Sequence, residues 1–429
     1  MKYSKIKSEL FKKNREKLYH LIKNFSVAII HSNDEMPRNG DQTFPFRQNS
    51  DFFYLTGIEQ KKSILLICKD CENKEYKEVL FILKPEKTLE IWEGHKFTKE
   101  EAINISGISS VKYINEFGSI LREVILSSKN IYLNRNENVK FETPVPYKDI
   151  RFANEIKEKY PFHHFERLAP LLTKLRLQKE PEEIELIKNA CKITTSAFFK
   201  VLKFVKPDVK EYEIEAEITA EFIRNGAGGH AYQPIIASGK DSCVLHYVSN
   251  DKVCKNGDLI LMDFGAEYAN YAADTTRTIP VNGKFTERQK EVYNAVLRVM
   301  KKATLFIKPG NTINKVNEEV NRMIEKELVN LGLAEKKDIE NSKKRDTVRI
   351  KYFMHGNSHF MGLDVHDAGT KDTVFKAGMV MSCEPGIYIE EEGFGIRLEN
   401  DILVTENGQI DLLADEPIEI KDIERIMAE

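Results

Sequence analysis

The sequence predicts an α/β chain folded as two domains, on three observations. Its 429 residues exceed what one hydrophobic core ordinarily serves, at roughly 100–200 residues per domain. The first third alternates short apolar runs with charged, helix-like segments, the rhythm of strands crossing to helices. Around Glu166 the text turns to helix formers, and a glycine-punctuated strand region follows.

Taken in order, SVAII (26–30), SILLIC (63–68), EVLFIL (78–83) and NIYL (130–133) read as buried strands, and KEEAINIS (99–106) as a helix between them. Glu180-Pro-Glu-Glu supplies a proline and acids at a helix start. Apolar residues then recur at Ile184, Ile187, Ala190 and Cys191 with helical spacing. The division therefore belongs just ahead of this helix, giving domains 1–170 and 171–429. A second amphipathic helix is expected over 211–226, strands from Gly228 to Thr278, a helical block from Thr286, and further strands over 351–404. The lysine-rich stretch 333–346 reads as a solvated helix or loop without chemistry.

Several classes of function are disfavoured by composition. Basic and acidic residues nearly balance, 65 against 67, so nothing draws the chain to nucleic acid or to an anionic membrane. No apolar run approaches the ~20 residues that span a bilayer. The N-terminal stretch MKYSKIKSELFKKNREKLYHLIKNF lacks the apolar segment of a secretory signal. Six cysteines are too sparse for a disulfide framework. Cys68-Lys-Asp-Cys71 has metal-clip spacing but no second such pair, and reads as two reduced thiols after a strand. Together these features point to the cytoplasm and to a small or neutral molecule as partner.

The chemistry is concentrated in the second half. Leu259-Ile-Leu-Met-Asp263-Phe-Gly265 is apolar on both faces except for one acid, and an isolated ionised carboxylate there would cost several kcal/mol unless paired or metal-bound. Asp274 follows Ala272-Ala273 and opens a returning strand. Two readings stay open for this pair: a hairpin that brings both carboxylates together, or unrelated acids, one capping a turn and the other pairing with Arg277. Glu384, in MVMSCEPGIYI, and Glu399, in FGIRLENDILV, are likewise flanked by apolar residues. On a strand Arg397 and Glu399 share one face. Three of the ten histidines, His355, His359 and His366, crowd into MHGNSHFMGLDVHD. Four carboxylates with one neutral imidazole balance two divalent cations, and such oxygen-rich ligation favours Mn²⁺ or a similarly hard ion. The HExxH pattern of zincins is absent.

The ordered set DFG…AADTTRT, MHGNSHFMGLDVHD, CEPG and IRLEN resembles the metallopeptidases of the pita-bread fold, and within them the aminopeptidase P (Xaa-Pro aminopeptidase) family. RNGDQTFPFRQNSDFFYLTGIEQ (38–60) and Trp92-Glu-Gly94 are similar to that family's N-terminal creatinase/prolidase-type domain. The resemblance implies an α/β chain in which such a domain precedes a pita-bread catalytic domain. It implies five ligands for two metal ions, Asp263, Asp274, His359, Glu384 and Glu399, with Asp274 and Glu399 bridging. The metals implied are Mn²⁺ first, with Co²⁺ or Zn²⁺ as alternatives. His246, His355 and His366 would contact the scissile carbonyl, its tetrahedral intermediate and the proline side of the substrate. Arg397 would orient a bridging carboxylate and line the proline subsite, with Tyr388 nearby.

The implied reaction is release of the first residue from peptides with proline second, by a hydroxide held between the metals, with Glu384 moving its proton and His366 stabilising the oxyanion. Trp92 and Asp41 match positions that reach an active site, in some members a neighbouring subunit's, in a homodimer or homotetramer; Trp92 also reads as a surface residue packed within its own domain. Prolidase, restricted to Xaa-Pro dipeptides, shares the five ligands. Methionine aminopeptidase would leave the first domain surplus. A peptide-binding relative without activity, or metal-free creatinase, would be expected to have lost ligands, and none is lost here. Cys383 before Glu384 and Asn357-Ser358 between the histidines depart from the commoner family text, and the thiol adds sensitivity to oxidation.

Overall fold

The four apolar runs of the first third meet in one mixed six-stranded sheet, in the order Ser110–Tyr113, Glu78–Ile82, Ile64–Lys69, Ser26–His31, Asn130–Leu133, His164–Arg167. Ser26–His31 is central and buried along its length, which is why it reads as a continuous apolar run and not as an alternation. Thr98 and Glu101 form a reciprocal capping box at the start of the expected helix, Lys99–Ser106, and left-handed Gly107 ends it. Cys68 lies within the strand Ile64–Lys69 and Cys71 just beyond it, both as free thiols. The computed structural model describes residues 2–138 and 140–429.

Two compact units share the chain, Ser4–Arg176 and Leu177–Glu429, the second also taking Lys2 and Tyr3. The division falls after 176 where 170 was expected. The helix Ala169–Leu177 explains the difference, because its buried Arg176 donates to Asp51 of the first unit at 2.8 Å.

The second unit opens on the helix Pro181–Phe204, with proline in its first turn and a Glu180/Glu183 capping box. Leu186, Ile187, Ala190 and Cys191 are buried, but Glu183 occupies the buried position at the N-terminal end and Ile184 is only half-buried. The helices Glu211–Arg224, Glu287–Thr304 and Ile313–Asn330 complete the cover of a core that includes Phe198, Phe222, Ile260 and Met262. The lysine-rich stretch forms the short helix Lys336–Glu340 and the start of Ser342–Tyr352, mostly exposed.

Strands were expected to resume at 351, but the helix runs to Tyr352 and the next named strand is Val380–Cys383. Between them the chain lies along that strand without a regular ladder. Met361 N–H donates to Val380 O, Ser382 N–H to His359 O and Glu384 N–H to Asn357 O. Glycines at 356, 362 and 369 interrupt the pattern.

Leu259–Phe264 pairs antiparallel with Thr275–Pro280, Asp263 opposite Thr276, and Ile235–Ser238 flanks it. The connection is a tight hairpin, Ala266–Tyr268 against Tyr271–Ala272, with Ala269 and Asn270 both left-handed. A Cβ at Gly265 would lie 1.8 Å from the carbonyl oxygen of Ala273. Only glycine permits this approach, which draws Asp263 and Asp274 to the same end of the sheet. A second sheet, Val380–Cys383 with Asn400–Thr405 and Gly408–Asp411, and the hairpin Gly386–Ile389/Phe394–Arg397 carry the remaining acids.

Two consequences are measurable. Gly265→Ala should lower the unfolding free energy by roughly 3 kcal/mol, at the upper end of overpacking costs, as read by urea denaturation. His230 donates Nε2–H to Thr219 Oγ1, whose own proton goes to Glu215 O, and its Nδ1 is buried without a partner among the described residues. Burial therefore pushes its pKa down to about 4 from 6.5. The unfolded chain takes up this proton first, so stability falls as pH drops from 6.5 toward 4, by at most about 3 kcal/mol from this group. Urea unfolding at pH 7 and pH 5 should show a smaller loss in His230→Gln than in wild type.

Candidate metal centre and its surroundings

Four strand ends and one loop converge to gather the predicted residues. Asp263 is the penultimate residue of Leu259–Phe264, and Asp274 directly precedes Thr275–Pro280. His359 comes from the irregular stretch beside Val380–Cys383, Glu384 follows that strand, and Glu399 bridges to Thr276 just after Arg397. One ligand atom each from Asp274, His359 and Glu399 lies within 4.8 Å of the others. His359 Nε2 is 3.3 Å from Asp274 Oδ2, 3.7 Å from Glu384 Oε1 and 4.0 Å from Glu399 Oε1. Its Nδ1–H donates to the Phe360 carbonyl at 3.1 Å, so Nε2 is the nitrogen presented to the carboxylates.

Asp263 belongs to the same group through its neighbours. Tyr232 OH lies 2.6 Å from Asp263 Oδ1 and 2.5 Å from Asp274 Oδ1. Arg397 Nη2 donates to Asp263 Oδ2 at 2.6 Å, and its Nε donates to Thr276 Oγ1, which in turn donates to Glu399 Oε2. Arg397 and Glu399, expected to share one face, are both buried and are linked through Thr276. Asp274 and Asp263 are thus the two arms of one hairpin, and Arg277 instead binds Glu399 O, Asn400 Oδ1 and Glu416.

The electrostatics follow from crowding acids out of water. Burial raises Glu399 far above the usual carboxylate range, and the charges of Asp274, Glu384 and Asp263 push it further. Burial lifts Glu384 to about 7 although His359 and Arg397 pull against it. Asp263 is raised by burial, with Arg397 the chief opposing influence. Burial disfavours the His359 imidazolium, but Asp274 and Glu384 outweigh it and hold the group at about 9. The protein's own cations leave this cluster short of positive charge. Four carboxylates and one oriented imidazole nitrogen are a donor set that fits divalent ions.

The outer residues form a chain. Arg397 Nη1 donates to Tyr388 OH at 3.0 Å, and Tyr388 OH lies 2.7 Å from His355 Nε2. His355 Nδ1 is 2.8 Å from the Gly356 carbonyl; that carbonyl can only accept, so His355 carries its proton on Nδ1 and receives the tyrosine O–H on Nε2. Burial, with Arg397 and His246 adding their charge, pushes His355 down to about 3. His366 is exposed, with its ring edge-on to that of His359 at 4.4 Å between centroids. His246 is exposed on the loop after Gly239–Cys243.

Trp92 and Asp41 belong to the other unit. Trp92 ends 84% exposed on the helix Lys87–Glu93 and is not packed within its own domain; Asp41 sits in an exposed hairpin, accepting from Gln42. Tyr232 and Thr276 escaped the sequence reading. Tyr232 stands in GGHAYQP with no apolar frame around it, and Thr276 is one of several threonines beside Arg277.

The fold and this cluster define a metallopeptidase. Residues 185–406 match Metallopeptidase family M24, and residues 11–132 match Aminopeptidase P, N-terminal domain; the chain belongs to family M24. The Xaa-Pro aminopeptidase of Haemophilus influenzae is 36% identical over 436 residues, covering 99% of this chain and 98% of its own. That of Escherichia coli is 34% identical over 445 residues, with the same coverage. Zn-substituted Escherichia coli aminopeptidase P in complex with product matches with a TM-score of 0.89 at 32% identity, over 99% of both chains, as does the same enzyme with the inhibitor Pro-Leu. The architecture is therefore a creatinase/prolidase-type α/β domain followed by a pita-bread domain, and the enzyme is a metalloaminopeptidase that uses divalent metal ions.

Chelation should destabilise such a protein. After EDTA dialysis, re-adding a divalent ion at a hundredfold excess over its Kd should restore about 2.7 kcal/mol, seen as a rise in Tm. An unchanged Tm would speak against a metal centre.

Proposed function

We propose that the protein hydrolyses the Xaa-Pro bond and releases the N-terminal residue of peptides whose second residue is proline. The observation that carries this reading is the convergence of Asp263, Asp274, His359, Glu384 and Glu399 beside the Arg397–Tyr388–His355 chain, in a sequence that aligns end to end with Xaa-Pro aminopeptidases.

In this reading Asp263, Asp274, His359, Glu384 and Glu399 would hold two divalent ions, with Asp274 and Glu399 serving both. Bound divalent ions acidify water toward neutral pH and polarise a carbonyl. Glu384 takes the proton released at the nucleophile and delivers it to the proline nitrogen that leaves, and Ser382 Oγ, 3.3 Å from Glu384 Oε1, steadies it. His366 donates to the oxygen on which negative charge develops, and His246, on the loop after Gly239–Cys243, contacts the substrate. His355 serves through Tyr388, because both its nitrogens are already engaged. Arg397 holds Asp263 and Tyr388 in place beside the proline subsite. Proline is a usable key because it lacks an N–H and has a fixed φ, so enzymes that bind substrate as an added strand handle it poorly.

Oxygen-rich ligation supports Mn²⁺ as the resident ion, with Co²⁺ and Zn²⁺ as alternatives. Ile91 and Trp92, 79% and 84% exposed on one helix, support a homodimer or homotetramer in which this apolar surface is covered and Trp92 and Asp41 meet substrate. The cytoplasm is the proposed location; no helix among the described residues is long and apolar enough to cross a membrane.

An assay of the Mn²⁺-loaded protein on an Xaa-Pro-Yaa tripeptide and its Xaa-Pro dipeptide tests the reading, with products identified by mass. Release of the first residue from the tripeptide is expected, and His366→Ala should lower kcat by about 100-fold. Cleavage confined to the dipeptide would make the enzyme a prolidase, and no cleavage would leave a peptide-binding protein.

A further inference from the structure

The stretch after His359 is closed on itself. Asp367 N–H donates to the Phe360 carbonyl at 2.8 Å and Gly362 N–H to Asp364 O at 3.1 Å, while Gly362 O accepts from Ala272 N–H of the neighbouring hairpin at 2.8 Å. Within this closed turn lies an ion pair that the mechanism does not use. Lys179 Nζ is 3.3 Å from Asp367 Oδ2, and each side chain is 1% exposed. Lys179 comes from just ahead of the helix Pro181–Phe204, and its own N–H is tied to Gly378 O at 2.8 Å.

The pair fills the room that a side chain at 362 would need. A Cβ on Gly362 would meet Asp367 Oδ2 at 2.2 Å and Lys179 Cε at 2.8 Å. Two buried charges are a poor device for stability, since apolar residues of similar volume often serve as well or better. A charge pair does supply direction, because it tolerates one geometry where apolar packing tolerates several. The residue beside it is His366, which points out toward His359 while the Asp367 side chain points in. The neighbouring buried acid, Glu183, accepts from Tyr271 OH and Glu180 N–H, both at 2.9 Å, and Tyr271 immediately precedes the Ala272 that holds Gly362.

We infer that Lys179 and Asp367 are positioning residues: their buried pair anchors the turn and so sets the place of the His366 imidazole over the reaction centre. This rests on the reading of His366 as the donor to the developing oxyanion. A lone Lys179→Met removes the lysine from beside a buried carboxylate and is expected to fold poorly, so the informative variant is Lys179→Met/Asp367→Leu, which removes both charges.

The experiment compares full-length, Mn²⁺-loaded wild type, the double variant, His366→Ala and the triple combination. It reads kcat and KM on an Xaa-Pro-Yaa tripeptide, Mn²⁺ bound per subunit, and Tm. The double variant should keep wild-type metal content and a Tm near wild type, hold KM within about twofold and lose kcat by about 10- to 100-fold. Adding His366→Ala to it should cost little more, because both changes remove the same placed imidazole. A double variant with wild-type kcat, or losses that multiply in full, would overturn the positioning role while leaving His366 in its own. Wild-type kcat in His366→Ala would overturn the His366 reading, and this inference with it.

Discussion

Four carboxylates held together out of water impose the condition that the rest of the catalytic unit satisfies. Each would be unfavourable alone in its apolar surroundings, and close together they raise one another's pKa, as Glu399 and Glu384 do. Divalent cations resolve the conflict with the same residues that create it. The site is thus one whose protein framework is electrostatically incomplete, and this makes metal affinity a property of the fold and not an addition to it.

Keeping such a cluster in register requires a polar layer behind it. Tyr232 spans Asp263 and Asp274, and Thr276 passes a hydrogen bond from Arg397 to Glu399. Arg277 secures the backbone of Glu399, and Asp401 accepts the N–H of Asp274. Every one of these contacts joins segments more than thirty positions apart. Partners of this kind orient metal-binding groups and are nearly as consequential as the groups themselves. The same layer reaches outward through Tyr388 to His355.

The first unit has a different logic. Its sheet is buried at the centre and covered by capped helices, while the hairpin that carries Asp41 and the helix that carries Ile91 and Trp92 are exposed.

Much of this was legible in the chain itself, because local signals are strong where burial or capping is complete. The buried strands of the first unit, the helix announced by Glu180-Pro-Glu-Glu and the four acids in apolar frames all carry their pattern in adjacent residues. The errors are equally physical. The stretch 351–379 has strand-like composition, but Gly356, Gly362 and Gly369 let it run beside Val380–Cys383 without a ladder. Glu183 takes a buried place that spacing awarded to Ile184, because it can cap Glu180 and accept from Tyr271. Sequence by itself determined the fold class, the family and the acids, since apolar context and motif order are local properties. Only tertiary structure decided that Asp263 and Asp274 come together, that Tyr232 links them, that His355 faces Tyr388 and that Lys179 pairs with Asp367. Those contacts form between distant segments, and their geometry is set by packing that no stretch of sequence contains.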